Sequence, residues 1–139
     1  DGSVEGWHAL HEGVMLARLC GAEVFLLAVV NLSTGVLMAE GAGAAPVAAE
    51  HQHAEYRQIL TAGLEHVESV GISTTARLEY GNPAEQISAV AREIGADLVI
   101  VGHRRQSALA RWWGGSVGAS LLEQLGCSLL VAQHDVDEL

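Results

Sequence analysis

The stretch "GNPAEQISAVAREIGADLVIVG" (residues 81–102) decides the fold class. Asn82 is a helix N-cap type of residue, Pro83 follows at the first helical position, and Gly95 supplies a left-handed stop. The spacing therefore predicts a helix between them. "ADLVIVG" (96–102) then reads as a strand buried on both faces, because its apolar residues run without alternation. On the amino-terminal side, "ISTTARLEY" (72–80) alternates apolar and polar residues, as a strand does with one open face or at a sheet edge. Strand, helix and strand in succession imply a right-handed crossover and parallel pairing.

Working outward, the alternation continues. "SVEGWHALHEGVMLARLCG" (3–21) carries Val4, Trp7, Leu10, Val14 and Ala17 at helical spacing, with Ser3 as N-cap and Gly21 as stop; Trp7 is expected in the core. "AEVFLLAVVN" (22–31) is a β-branched apolar run of strand length. "LSTGVLMAEGAGAAP" (32–46) reads as a surface loop, and 47–70 as a helix with Tyr56, Ile59, Leu60, Leu64 and Val67 on one side. "SVGASLLEQLG" (116–126) is a short helix, "CSLLVAQ" (127–133) a last strand and "HDVDEL" (134–139) an acidic tail. The whole is one α/β domain, residues 1–139, a parallel sheet with helices on both faces. A fold of this kind starts with a strand, yet the sequence opens on "DGS" and a helix. A first strand is therefore expected upstream or has been lost.

Composition narrows the function. Seventeen acids oppose seven basic residues, all of them arginine, for a net charge of −10, which argues against nucleic acid or an anionic membrane as partner. The strand-like apolar run "VFLLAVV" is far short of the roughly 20 residues that span a bilayer, and no secretory signal begins the sequence, so the cytoplasm is the expected compartment. Cys20 and Cys127 form no disulfide framework or metal spacing and are expected reduced and buried. His8 and His11, three apart beside Glu12, and His51 and Glu55, four apart, can share helix faces. No third ligand is placed with them, and no metal site is expected.

Four segments, in order, resemble the universal stress protein family: "DGSVEGWHAL", the 81–102 stretch, "GGSVGASLL" and "CSLLVA". The resemblance implies a doubly wound sheet of five parallel strands in the order 3-2-1-4-5, of which the central strand would be the one missing here. It also implies a homodimer through the last strand, Cys127 to Ala132, and a nucleotide loop of pattern Gly-x2-Gly-x9-Gly-Ser. Here Gly102, Gly115 and Ser116 stand in register, but Arg105 replaces the second glycine.

In a doubly wound sheet ligands lie beyond the carboxyl ends of strands, where the strand order reverses. With the family's order that point brings Asp1 beside Gly102. Glycines turn bare N–H groups toward an anion, and a helix beginning at Ser116 adds free donors and the positive end of its dipole. By resemblance, Asp1 lies near ribose or adenine, Val29 meets adenine through its backbone, and Gly102, Gly115, Ser116 and Val117 hold phosphates. Arg104, Arg105 and Arg111 gather three of the seven basic charges in this stretch. Arg105 cuts both ways. At a position needing positive φ it costs on the order of 1 kcal/mol or more, yet its guanidinium fork suits phosphate oxygens. His103 is expected to face solvent, and Trp112 and Trp113 to serve packing or a subunit contact.

The reading is therefore a stress-response or signalling module that binds ATP or a related nucleotide, with Mg2+ accompanying it and at most weak hydrolysis. The alternatives are a dimeric interaction module indifferent to nucleotide, and a regulatory domain of a longer protein.

Overall fold

The computed structural model describes residues 1–31, 45–104 and 116–134; for residues 45–48, 104, 116–119 and 134 it describes the backbone alone. Helix α1 (Val4–Cys20) leads into strand β1 (Val24–Val30), helix α2 (Ala45–Ser69) and strand β2 (Thr74–Tyr80). Helix α3 (Pro83–Ile94), strand β3 (Leu98–Arg104), helix α4 (Ser116–Gln124) and strand β4 (Ser128–His134) complete the order.

The decisive stretch folds as its residues dictate. The Asn82 side-chain oxygen accepts the N–H groups of Ala84 at 2.9 Å and Glu85 at 3.3 Å, so two amides that start α3 are satisfied by one residue. Gly95 ends the helix at φ 65°, where a side chain would be strained. Along α3, Ala84, Ser88 and Ala91 are buried, and the Ser88 hydroxyl donates back to the Ala84 carbonyl at 2.7 Å. Small residues on that face let α3 pack against α4 as well as against β1 and β2. Ser3 caps α1 and Gly21 stops it at φ 64°, as read from the sequence.

The strands form two parallel pairs. β1 pairs with β2 from Val24↔Thr74 to Val30↔Tyr80, and β3 pairs with β4 from Leu98↔Ser128 to Arg104↔His134. Among the described residues no strand joins the pairs, so these residues make four strands and not a five-stranded sheet. α1 packs on β3 and β4, and α2 on β1 and β2. The core includes Ala28 and Val30 of β1, Val67 of α2, Ala132 of β4, and Leu121 of α4. No described helix is long and apolar enough to cross a membrane.

Several expectations are corrected. β3 runs through His103 and Arg104, two residues past its expected end, because Gln133 and His134 continue the ladder opposite them. On α1 the buried residues are Ala9, Val14 and Ala17, while Val4 is 58% exposed and Trp7 only half-buried. The cause is close approach: a Cβ on Gly13 would lie 3.3 Å from Ile100 Cδ1, so the strand meets the face carrying the smallest residues. Cys20, at the outward-facing end of α1, is exposed and Cys127 half-buried; both are free thiols. The loop expected at 32–46 lies outside the described residues except for Ala45 and Pro46, which begin α2.

β2 pairs only with β1 among the described residues, and it carries polar groups suited to an edge. Arg77 makes a two-pronged contact with Glu93 of α3, 2.9 Å to each carboxylate oxygen, and approaches Glu79 at 2.7 Å. The hydrogen bonds and charge of Arg77 hold the Glu93 carboxyl below its ordinary value. A carboxyl depressed on folding contributes stability that is present above its unfolded value, about 4.3, and is lost as pH falls through the folded value. Arg77→Met should therefore lower the melting temperature at pH 7 but not at pH 2. A thermal-melt series over that range checks this, and an equal gap at both pH values would contradict it.

Candidate functional site

The first six residues build the site's scaffold. Asp1 Oδ1 accepts the Ser3 N–H at 3.1 Å and the Ser3 hydroxyl at 2.6 Å, while Ser3 Oγ accepts the Gly6 N–H at 3.1 Å. One serine thus ties the Asp1 carboxylate to the first turn of α1. Gly2, at φ 76°, sits where a Cβ would be 2.6 Å from Ile59 Cδ1, which seats the turn against α2.

On its other side this turn lies across β3. A Cβ on Gly102 would overlap the Glu5 carbonyl carbon and oxygen and come within 2.9 Å of the Gly6 nitrogen. Gly102 does not have a positive φ. Its lack of a side chain is required here by the approach of another backbone. A Cβ on Gly6 would in turn lie 2.9 Å from Asp1 Oδ1. Asp1, Ser3, Gly6 and Gly102 therefore form one continuous patch at the carboxyl end of β3.

Other expected site residues are placed less completely. Val29 stands on β1, one residue before its end, opposite Glu79 in the other strand pair. Arg104 ends β3 opposite His134. Ser116 and Val117 are the first two residues of α4, whose first turn carries no acid to repel an anion. Arg105, Gly115, Arg111, Trp112 and Trp113 lie outside the described residues.

His103 is corrected from solvent-facing to buried, at 3% exposure, opposite Gln133. Buried polar side chains next to Gly102 were therefore underestimated from sequence, because a histidine followed by two arginines reads as loop. Sequence reading also missed Ser3 and Gly6 as members of the patch, although Ser3 as a cap two residues after Asp1 was a usable signal. At the carboxyl end of β2, the Tyr80 hydroxyl and His53 Nδ1 are hydrogen-bonded with their rings nearly parallel. The Gly81 N–H donates to the Val30 carbonyl at 3.0 Å, closing the end of that strand pair.

Open clefts occur elsewhere. One of 390 Å³, bordered by Ala17, Arg18, Gly21, Val70 and Ile72, lies at the amino ends of β1 and β2, opposite the ends where ligands meet parallel sheets. Another of 380 Å³, between α2 and β2, is walled by Leu60, Leu64, Ala76 and Leu78, with Arg57 and Thr61 at its margin. Neither includes a residue of the patch.

Comparison with known proteins identifies the family and the fold. A universal stress protein of Synechocystis sp. is 32% identical over 85 residues, 61% of this chain, and the match spans only 55% of that relative's length. A Staphylococcus aureus relative is 30% identical over 141 residues, 97% of this chain and 81% of its own. Among solved structures, a universal stress protein family member from Burkholderia pseudomallei has a TM-score of 0.72 at 25% identity, covering 94% of this chain and 89% of its own. An Archaeoglobus fulgidus universal stress protein in complex with dAMP has a TM-score of 0.65 at 14% identity, covering 93% and 88%. An Arabidopsis thaliana family protein with AMP bound has a TM-score of 0.69 at 16% identity, covering 94% and 79%. The family model described as the universal stress protein family matches residues 1–133, and the chain belongs to that family.

Proposed function

We propose that the protein is a nucleotide-responsive stress or signalling module that binds an adenine nucleotide, ATP with Mg2+ foremost, at the carboxyl ends of β1 and β3. The observation that carries this reading is the packing of the Asp1–Gly6 turn on Gly102, which gathers an oriented carboxylate and close-lying backbone at one strand end. The dAMP and AMP complexes of similar folds support the ligand class. In this reading β1–β2 and β3–β4 are the two sides of one doubly wound sheet that follows the family's strand order, 3-2-1-4-5 in the family's own numbering. Asp1 faces the ribose, the Val29 backbone meets the base, and Gly102, Gly115, Ser116 and Val117 receive phosphate. Arg104 and Arg105 supply charge-assisted donors. No residue of the set is a base poised for phosphoryl transfer, so hydrolysis is at most slow. Two copies join through the outer edge of the last strand, near Cys127 to Ala132.

Equilibrium dialysis with labelled ATP and Mg2+ tests the reading on the wild type, Arg105→Gly and Arg105→Ala. Saturable binding by the wild type is expected. Weaker binding by both variants means that the guanidinium contributes charge, and tighter binding by the glycine variant means that the side chain obstructs. Absence of binding in all three contradicts the proposal.

A further inference from the structure

We propose that His11 and His66 form a two-imidazole site for a divalent transition-metal ion where α1 meets α2. The two residues are 55 positions apart, and the fold brings their ring centroids to 4.6 Å, inclined at 47°. His11 is exposed and His66 half-buried, so an ion can reach both.

The tautomer of His11 is set by its neighbour. Its Nδ1 lies 2.8 Å from the Trp7 carbonyl oxygen, one turn back on the same helix. A carbonyl only accepts, so Nδ1 holds the proton, and in the neutral ring the lone pair is on Nε2. Metal-binding imidazoles are commonly oriented by this kind of Nδ1–H bond to a backbone carbonyl.

The spacing suits a shared ion. With metal–nitrogen bonds of about 2.1 Å, two imidazoles on one ion have ring centres about 4.5 Å apart at a right angle and about 5.2 Å apart at the tetrahedral angle. The observed separation falls within that range, and with His11 held by the Trp7 carbonyl it is the His66 ring that turns to bring its nitrogen to the ion. The Trp7 ring borders both imidazoles, at 6.5 Å from His11 and 6.3 Å from His66, and walls one side of the site with apolar surface. Among the described residues no third histidine, cysteine or carboxylate converges there. Water fills the remaining positions, which makes the site open and exchangeable rather than a closed structural centre. Imidazole donors select zinc, nickel or copper over magnesium or calcium, and the net charge of −10 favours any cation. His8, although near in sequence, is engaged with Glu12 at 3.4 Å.

Calorimetric titration of the metal-free full chain with ZnCl2 tests this, paired with thermal melts in Zn2+ and in chelator. One Zn2+ per chain is expected, with a melting temperature raised by the ion. His11→Gln and His66→Gln should each weaken binding at least about tenfold and abolish the thermal shift, while His51→Gln leaves both unchanged. Melts in chelator report whether each variant is folded, and the wild-type titration stands without them. Absence of Zn2+ binding at submillimolar concentration overturns the proposal. So does binding that survives intact in either variant, which would place the ion on other side chains.

Discussion

Gly102→Val should lower the melting temperature by about 10 °C and abolish nucleotide binding. The new Cβ would overlap the Glu5 carbonyl, and the obstruction is backbone, which cannot rotate away as a side chain does. Overpacking of this kind costs about 3 kcal/mol, and at this chain length each kcal/mol moves the midpoint by roughly 3–4 °C. The first turn of α1 has to lift from β3, carrying the Ser3–Asp1 pair with it. Gly95→Ala is a useful contrast. Gly95 has φ 65° and nothing within 4 Å of an added Cβ, so the cost there is conformational strain alone, of order 1 kcal/mol. Thermal melts of both variants give the comparison. A Gly102→Val protein melting within 2 °C of wild type would mean that α1 does not cross β3 at this point.

Leu121→Ala is the second large effect. Leu121 is wholly buried, whereas its neighbour Leu122 is 46% exposed. Truncating the buried residue removes its apolar contacts and leaves a cavity, at a cost of about 3 kcal/mol. The same change at Leu122 should stay within about 0.5 kcal/mol. The consequence reaches the proposed site, because Leu121 anchors the helix that begins at Ser116. Urea unfolding should show a lower midpoint for Leu121→Ala with an unchanged slope. Weaker nucleotide binding should accompany it, although residue 121 is one full turn beyond the proposed phosphate contacts. Equal costs at positions 121 and 122 would contradict the packing of α4.

The contrast between these leucines marks how far the sequence could be read. Local signals were legible. Asn82, Pro83, Gly95, Ser3 and Gly21 fixed two helices through capping and left-handed stops that depend on neighbours only a few residues away. The alternation in 72–80 pointed to a strand with one open face or at a sheet edge, and β2 is paired with β1 alone among the described residues. Nonlocal choices were not legible. Of the apolar stripe read on α1, Val14 and Ala17 are buried, but Val4 is exposed and Trp7 half-buried, while Ala9 is buried and Gly13 lies close against Ile100 of β3. Periodicity ranks faces by hydrophobicity, whereas packing also rewards smallness. β3 continued through two residues that look like loop, because hydrogen-bond partners on β4 were there to receive them.

The site was legible in part for the same reason. The glycine spacing of the family the sequence resembles pointed to Gly102, and that family's strand order led to Asp1 being expected beside it. What the sequence did not carry was the second reason for the glycine: the Glu5 carbonyl of α1 occupies the space a side chain would need. Nor did it join His11 to His66, whose meeting depends on how α1 and α2 pack.

The central claim is that an adenine nucleotide occupies the carboxyl end of β3 beside the Asp1–Ser3 turn. Amide chemical-shift mapping of the isotope-labelled protein during titration with ATP and Mg2+ tests it most directly. The account predicts saturable shifts clustered at Ser3, Gly6, Gly102, Ser116 and Val117, with the amides of Gly21 and Gly71 at the opposite end unmoved. Shifts confined to the clefts near Gly21 or Leu64, or no saturable shifts at all, would contradict it.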